Sequence, residues 1–77
     1  MSMASIKKLI LKMKNQPHGI ILDEADRVLR HNGYFCKRQK GSHCQYINSN
    51  GDVITVVAEN PIKKAYIVAI LERIGEN

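Results

Sequence analysis

Tyr34-Phe35-Cys36-Lys37-Arg38-Gln39-Lys40-Gly41-Ser42-His43-Cys44-Gln45-Tyr46-Ile47-Asn48-Ser49-Asn50-Gly51-Asp52-Val53-Ile54-Thr55-Val56-Val57-Ala58 is the stretch on which the fold turns. It predicts three strands, over 34–40, 43–48 and 53–58. Gly41-Ser42 turns or kinks the chain between the first two. Ser49-Asn50-Gly51-Asp52 joins the second and third and contains Asn-Gly, a strong short hairpin signal. The third run is rich in β-branched residues, which suit a pleated, half-buried surface. Together these make a three-stranded antiparallel meander. Side chains alternate along a strand, so without a bulge each residue can be assigned a face. Ile54 and Val56 are expected inward and Thr55 outward. Tyr46 inward carries Cys44 with it and sends His43 and Gln45 outward. Tyr34 and Cys36 are expected inward, and Phe35 is either exposed or covered by another element.

Helical patterns flank the meander. Ahead of it, Ile20-Ile21-Leu22 leads into Asp23, an expected N-cap, with Asp26 in a capping-box-like position. Ala25, Val28 and Leu29 form the apolar stripe, and Gly33 is the expected left-handed C-cap. Behind it, Glu59-Asn60-Pro61 breaks the sheet and a helix is expected over 62–74, with Pro61 near its first turn. Ile67, Ile70, Leu71 and Ile74 are its core stripe. Ala65, Tyr66, Val68 and Ala69 leave it apolar on further sides, to thicken the core against the N-terminal helix or to meet a partner. That first helix carries Ile6, Leu9, Ile10 and Met13 at helical spacing and Lys7, Lys8, Lys12 and Lys14 mostly opposite. Ser2 or Ser5 can cap it, and Pro17 and Gly19 stop it. The expected organisation is a basic amphipathic helix and connector over 1–19, then a small α+β domain over 20–77. Its order is α-β-β-β-α, with the extra helix in front.

Seventy-seven residues hold one modest core and leave no room for a separate cofactor domain. Twelve Lys and Arg against seven Asp and Glu give a net charge of +5. The acids gather at Asp23, Glu24 and Asp26 and near the C-terminus. Arg27, Arg30, Lys37, Arg38 and Lys40 follow one another with no acid before Asp52. A plain solvated surface is one explanation of this layout, and a nucleic-acid partner is the sharper one. No lipid-anchor motif or strongly apolar span points to a membrane. Residues 1–16 lack the apolar core of a secretory signal, so a cytoplasmic chain with reduced Cys36 and Cys44 is expected. Cys-x7-Cys is not a usual zinc spacing, and strand alternation turns His43 away from Cys44, so no metal and no cofactor is expected.

Within the meander the chemistry converges on Arg38-Gln39-Lys40-Gly41-Ser42-His43. A lone imidazole in a positive field suits a phosphodiester: cations hold the phosphate while the histidine moves a proton near neutral pH. Arg38 offers a fork of donors and Lys40 a point charge. Amides around Gly41-Ser42 can form a small anion nest, with Gly41 allowing close approach. Lys37 adds to the same basic run. Lys63 and Lys64 stand near the start of the last helix, where they oppose its dipole, and are candidates for gripping nucleic acid across the groove. His31 suits a helix end, and His18 a loop.

Asn32-Gly33-Tyr34, Arg38-Gln39-Lys40-Gly41-Ser42-His43, Tyr46, Asn50-Gly51-Asp52 and Ile54-Thr55-Val56, in that order, resemble the HicA toxin family. Pro61-Ile62-Lys63-Lys64-Ala65-Tyr66 resembles its C-terminal element. The likeness covers residues 20–75 well and the first 19 loosely, the latter resembling a subgroup with an extra leading helix. It implies the double-stranded-RNA-binding-like fold and the toxin of a type II toxin–antitoxin pair. The implied activity is a metal-independent endoribonuclease (an mRNA interferase) with a HicB-type antitoxin as partner. The family's catalytic histidine falls on His43, and Lys37, Arg38, Lys40, Gly41, Ser42, Lys63 and Lys64 become RNA-binding candidates. The alternative is a non-catalytic RNA-binding domain using the same basic face. Two positions depart from the family: Ala58-Glu59-Asn60 stands where a proline and often a histidine follow the third strand. Cys44 stands where polar residues or a second histidine are common.

Overall fold

The computed structural model describes residues 3–76. Helices α1 (Met3–Asn15) and α2 (Leu22–His31) precede strands β1 (Phe35–Lys40), β2 (His43–Ile47) and β3 (Val53–Val57). Helix α3 (Lys64–Arg73) closes the chain. The sheet is antiparallel in the order β1-β2-β3, and the helices cover one of its faces. This is the expected α+β architecture with a leading helix. The core is drawn from every element except β1: Met13, Ile20, Ala25, Val28, Leu29, Cys44, Tyr46, Ile54, Val56, Ile67, Ile70 and Leu71 are all buried. Each large aliphatic side chain there contributes about 1.5–3 kcal/mol by leaving water.

Local signals decide where the helices begin and end, and some differ from expectation. Helix α2 starts at Leu22 with Ile21 as N-cap, so Asp23 is already in the first turn rather than at the cap. Isoleucine has no side-chain acceptor, and two other groups satisfy the open amides. Glu24 Oε1 accepts the Ile21 N–H at 3.1 Å, and Asn60 Oδ1 reaches over to accept the Leu22 N–H at 2.8 Å. At the other end Gly33, at φ 84°, gives its N–H to Arg30 O while Tyr34 gives its N–H to Leu29 O. These two bonds are the Schellman pattern.

The last helix begins at Lys64, two residues later than expected, because Ile62 serves the core instead. Ile62 is buried and its N–H donates to Ile20 O at 2.8 Å, tying the approach to α3 onto the approach to α2. Helix α1 packs Ile6 and Met13 inward, against α2 and α3, and its lysines reach out to acids elsewhere. Lys12 meets Glu24 at 2.6 Å and Lys14 meets Glu76 at 3.0 Å. Ser2, a candidate cap for this helix, lies outside the described residues.

The sheet carries the finding that matters most for the site. Tyr46, Cys44, Ile54 and Val56 face the helices, as alternation requires, and His43, Gln45 and Thr55 face away. On β1 the register slips: Cys36 pairs with Tyr46, but Arg38 rather than Lys37 pairs with Gln45. Unbroken alternation from Tyr34 would carry Arg38 and Lys40 to the helix side. One extra residue, Lys37, reverses the phase and brings both to the open face. Cys36 was expected inward. It does lie opposite the buried Tyr46, yet it is exposed, because β1 is an edge strand with none of its six residues buried.

The two hairpins use different turns. Gly41, at φ 59°, is the first of two loop residues between the paired Lys40 and His43, the position that glycine takes in a type II′ turn. The second loop is longer than a two-residue Asn-Gly turn. Asn48 Oδ1 accepts the N–H groups of Asn50 and Asp52 at 3.0 and 2.8 Å, and only Gly51, at φ 82°, is left-handed. Asp52 then fastens the loop to the core: Tyr34 donates its hydroxyl to Asp52 Oδ2, and Arg73 Nη1 meets Asp52 Oδ1 at 2.6 Å.

Candidate functional site

The open face of the sheet contains a groove of about 530 Å³ lined by Arg38, Lys40, His43, Gln45 and Thr55. Each wall residue is placed by strand register. Lys40 pairs with His43 in the row nearest the Gly41-Ser42 turn, and His43 pairs with Val57 on the other side. Two residues along, Arg38, Gln45 and Thr55 form one row across all three strands. Same-face neighbours along a strand are about 7 Å apart. The imidazole row and the guanidinium row are therefore adjacent steps on one platform.

The groove holds positive charge and no acid. Every arginine elsewhere is matched: Arg27 with Asp23 at 2.9 Å, Arg30 with Asp26 at 3.9 Å, and Arg73 with Asp52. Among the described residues neither Arg38 nor Lys40 forms an ion pair, and both are exposed. A groove with unpaired cations, an exposed imidazole, an amide and a hydroxyl can seat an anion and move a proton beside it.

The remaining candidates fall outside this wall. Gly41 and Ser42 are the turn at the end of the groove. The Ser42 carbonyl accepts the Ala58 N–H, which anchors the turn to the chain leaving β3. Lys37 is the bulge residue, with its ammonium 5.8 Å from the centre of the Phe35 ring. Arg30 approaches the same ring at 5.8 Å, so Phe35, 43% exposed, ends the edge strand between two cations. Lys63 is the N-cap of α3 and Lys64 its first residue; both are exposed and neither lines the groove. His43 and Cys44 point to opposite faces. Cys44 is buried, and that burial pushes its thiol above the ordinary value.

Gln45 and Thr55 were not singled out from the sequence as site residues, although alternation placed both outward. What was missing was their alignment with Arg38, which depends on the bulge. A bulge at Lys37 leaves no mark in the pattern, because the run from Cys36 to Lys40 is polar on both sides of it.

The sequence profile of a family described as the HicA toxin of bacterial toxin–antitoxin matches residues 22–76. No curated protein and no solved structure matches the chain. Among the described residues no helix is long and apolar enough to cross a membrane.

Proposed function

The chain belongs to the HicA toxin family, toxins of bacterial toxin–antitoxin systems, and from that premise we propose that it is a metal-independent endoribonuclease acting on messenger RNA. One observation carries the proposal. His43 stands exposed in a groove whose charged neighbours, Arg38 and Lys40, are cations with no acid to neutralise them.

RNA brings its own nucleophile, so the protein need supply only proton transfer and charge stabilisation. His43 accepts the proton of a ribose 2′-hydroxyl as O2′ bonds to the adjacent phosphorus. The P–O5′ bond breaks, and the leaving oxygen takes a proton from solvent in the open groove. The products are a 2′,3′-cyclic phosphate and a 5′-hydroxyl. Arg38 and Lys40 hold the non-bridging oxygens, where negative charge builds up. Lys37, Gly41, Ser42, Lys63 and Lys64 extend the contact to the flanking backbone. DNA lacks the 2′-hydroxyl and is not cleaved by this route.

A HicB-type antitoxin silences the toxin by covering His43 and the open sheet face, and a complex that left His43 open to solvent would contradict this. The side chains of Tyr66 and Val68 on α3 offer it further apolar contact; Val68 is 38% exposed. The deciding experiment is His43→Ala with purified protein and a defined mRNA fragment, with and without chelator. Cleavage should survive chelation in the wild type and vanish in the variant, while RNA binding persists in both. Binding with no cleavage by either protein would instead support a non-catalytic RNA-binding domain.

A further inference from the structure

Arg38 and Lys40 only donate and are cationic, so they suit phosphate oxygens or the paired acceptors of guanine, not a donor beside an acceptor. Thr55 offers a small hydroxyl that rotates to suit any partner. Gln45 differs from all of them. Its amide sets a donor and an acceptor side by side in one plane, the pattern that reads the edge of a base. Its position fits that use. It lies on the central strand between Arg38 and Thr55, two residues from His43 on the same face, within one nucleoside's reach of a phosphate seated there.

The amide is also uncommitted. Gln45 is exposed, and no hydrogen bond joins its side chain to any described residue. Gln39, the other glutamine of this hairpin, pairs with the inward Cys44 and gives its amide to Gly41 O at 3.4 Å. The groove volume falls within the range of roughly 300–1,000 Å³ typical of small-molecule sites, so a nucleoside fits.

We infer that Gln45 is the base-reading residue of the groove and that the base it takes is adenine, on the nucleotide next to the phosphate held at His43. Adenine presents a donor beside an acceptor on two edges, with N6–H beside N7 and N6–H beside N1. Cytosine and uracil offer such a pair on the Watson–Crick edge alone, and guanine's N7–O6 edge only accepts. Single-stranded RNA leaves both edges open. This inference rests on the ribonuclease proposal for the setting of its site, but it concerns which RNA is chosen rather than how it is cut.

The test uses single-stranded RNA oligonucleotides that differ only in the base flanking the scissile bond. Cleavage rates are measured with wild type, Gln45→Ala and Gln45→Glu. Binding of the same set is measured on a His43→Ala background. Wild type should favour adenine by about fivefold, the lower end for a good bidentate pair. Gln45→Ala should bring the ratio between bases close to one, and Gln45→Glu, an acceptor only, should move it toward cytosine. A thermal melt of each variant shows whether it is folded. An unchanged ratio in folded Gln45→Ala, or a wild-type preference for another base, overturns the inference. Absence of cleavage together with an adenine preference in binding that depends on Gln45 overturns the ribonuclease proposal and leaves the inference standing.

Discussion

Lys40 is the direct cross-strand partner of His43, across the two-residue turn Gly41-Ser42. A pair built only for stability would set an acid opposite Lys40, because opposite charges facing each other across strands attract. Five of the seven acids serve elsewhere, at Lys12, Lys14, Arg27, Arg30 and Arg73. The positive row is kept in the one region that no helix covers. That leaves the row open to an anion from outside, as the proposed RNA contact requires.

Salt should reveal which cations meet that anion. Each phosphate neutralised on a single strand steepens the dependence of log K on log salt by about 0.7. Arg38→Ala and Lys40→Ala should each flatten the slope by about that much. Titrations of a labelled oligonucleotide at several salt concentrations measure it. A slope unchanged in both variants would remove them from the RNA contact. Lys63→Ala and Lys64→Ala, read the same way, decide whether the start of α3 takes part.

The three strands and the glycine-capped end of α2 were legible because each rests on local chemistry. β-branched residues at Val53, Ile54, Thr55 and Val56 mark a strand, and Gly33 takes the left-handed conformation that ends a helix. His43 outward was legible too, since Tyr46 had to be buried. What the pattern could not show depends on contacts between distant segments. Asn60 capping Leu22 is one such case, and Ile62 bonding Ile20 another. The bulge at Lys37 is a third. It sits in an edge strand where both faces are wet, so no hydrophobic residue enforces a register there.

Tyr46→Phe should lower stability without touching the groove. Tyr46 is buried on the helix side and donates its hydroxyl to Asp26 Oδ1 at 2.8 Å. Asp26 stays partly exposed, so water can replace the lost donor, and the cost should be about 1 kcal/mol. For a domain of this size that is a fall of roughly 4–8 °C in Tm. Thermal unfolding monitored by circular dichroism measures it, and a rate of RNA cleavage that stays at the wild-type level separates the two faces of the sheet.

Stability should fall at both ends of the pH scale, for opposite reasons. The Lys12 ammonium bonded to Glu24 holds that carboxyl below its ordinary 4.5, and the Tyr34 hydroxyl, followed by Arg73, holds Asp52 below its ordinary 3.8. Groups lowered in the folded state stabilise it above those ordinary values, and the gain is lost as pH falls through the lowered ones. Tyr46, raised by burial and then by its bond to Asp26, and Tyr34, raised by its bond to Asp52, behave in reverse. Their contribution is full below pH 10 and is lost as pH climbs above it. Urea midpoints across pH should show both slopes. Lys12→Met should flatten the acid one and leave the alkaline one in place.

Gly41 tests whether the turn positions Lys40 and His43. Its φ of 59° lies where an L residue is strained, and a Cβ built there meets no atom within 4 Å. Any cost of Gly41→Ala is therefore conformational rather than steric, about 1–2 kcal/mol for a side chain in the left-handed region. Asparagine is, with glycine, among the residues these hairpin turns most often carry, so Gly41→Asn should cost less than Gly41→Ala. The turn joins Lys40 directly to His43, so a residue that resists this conformation loosens their row before it loosens the core. Cleavage should therefore follow the order glycine, asparagine, alanine at a temperature where all three proteins remain folded. Equal rates for the three would show that the groove does not depend on the geometry of the turn.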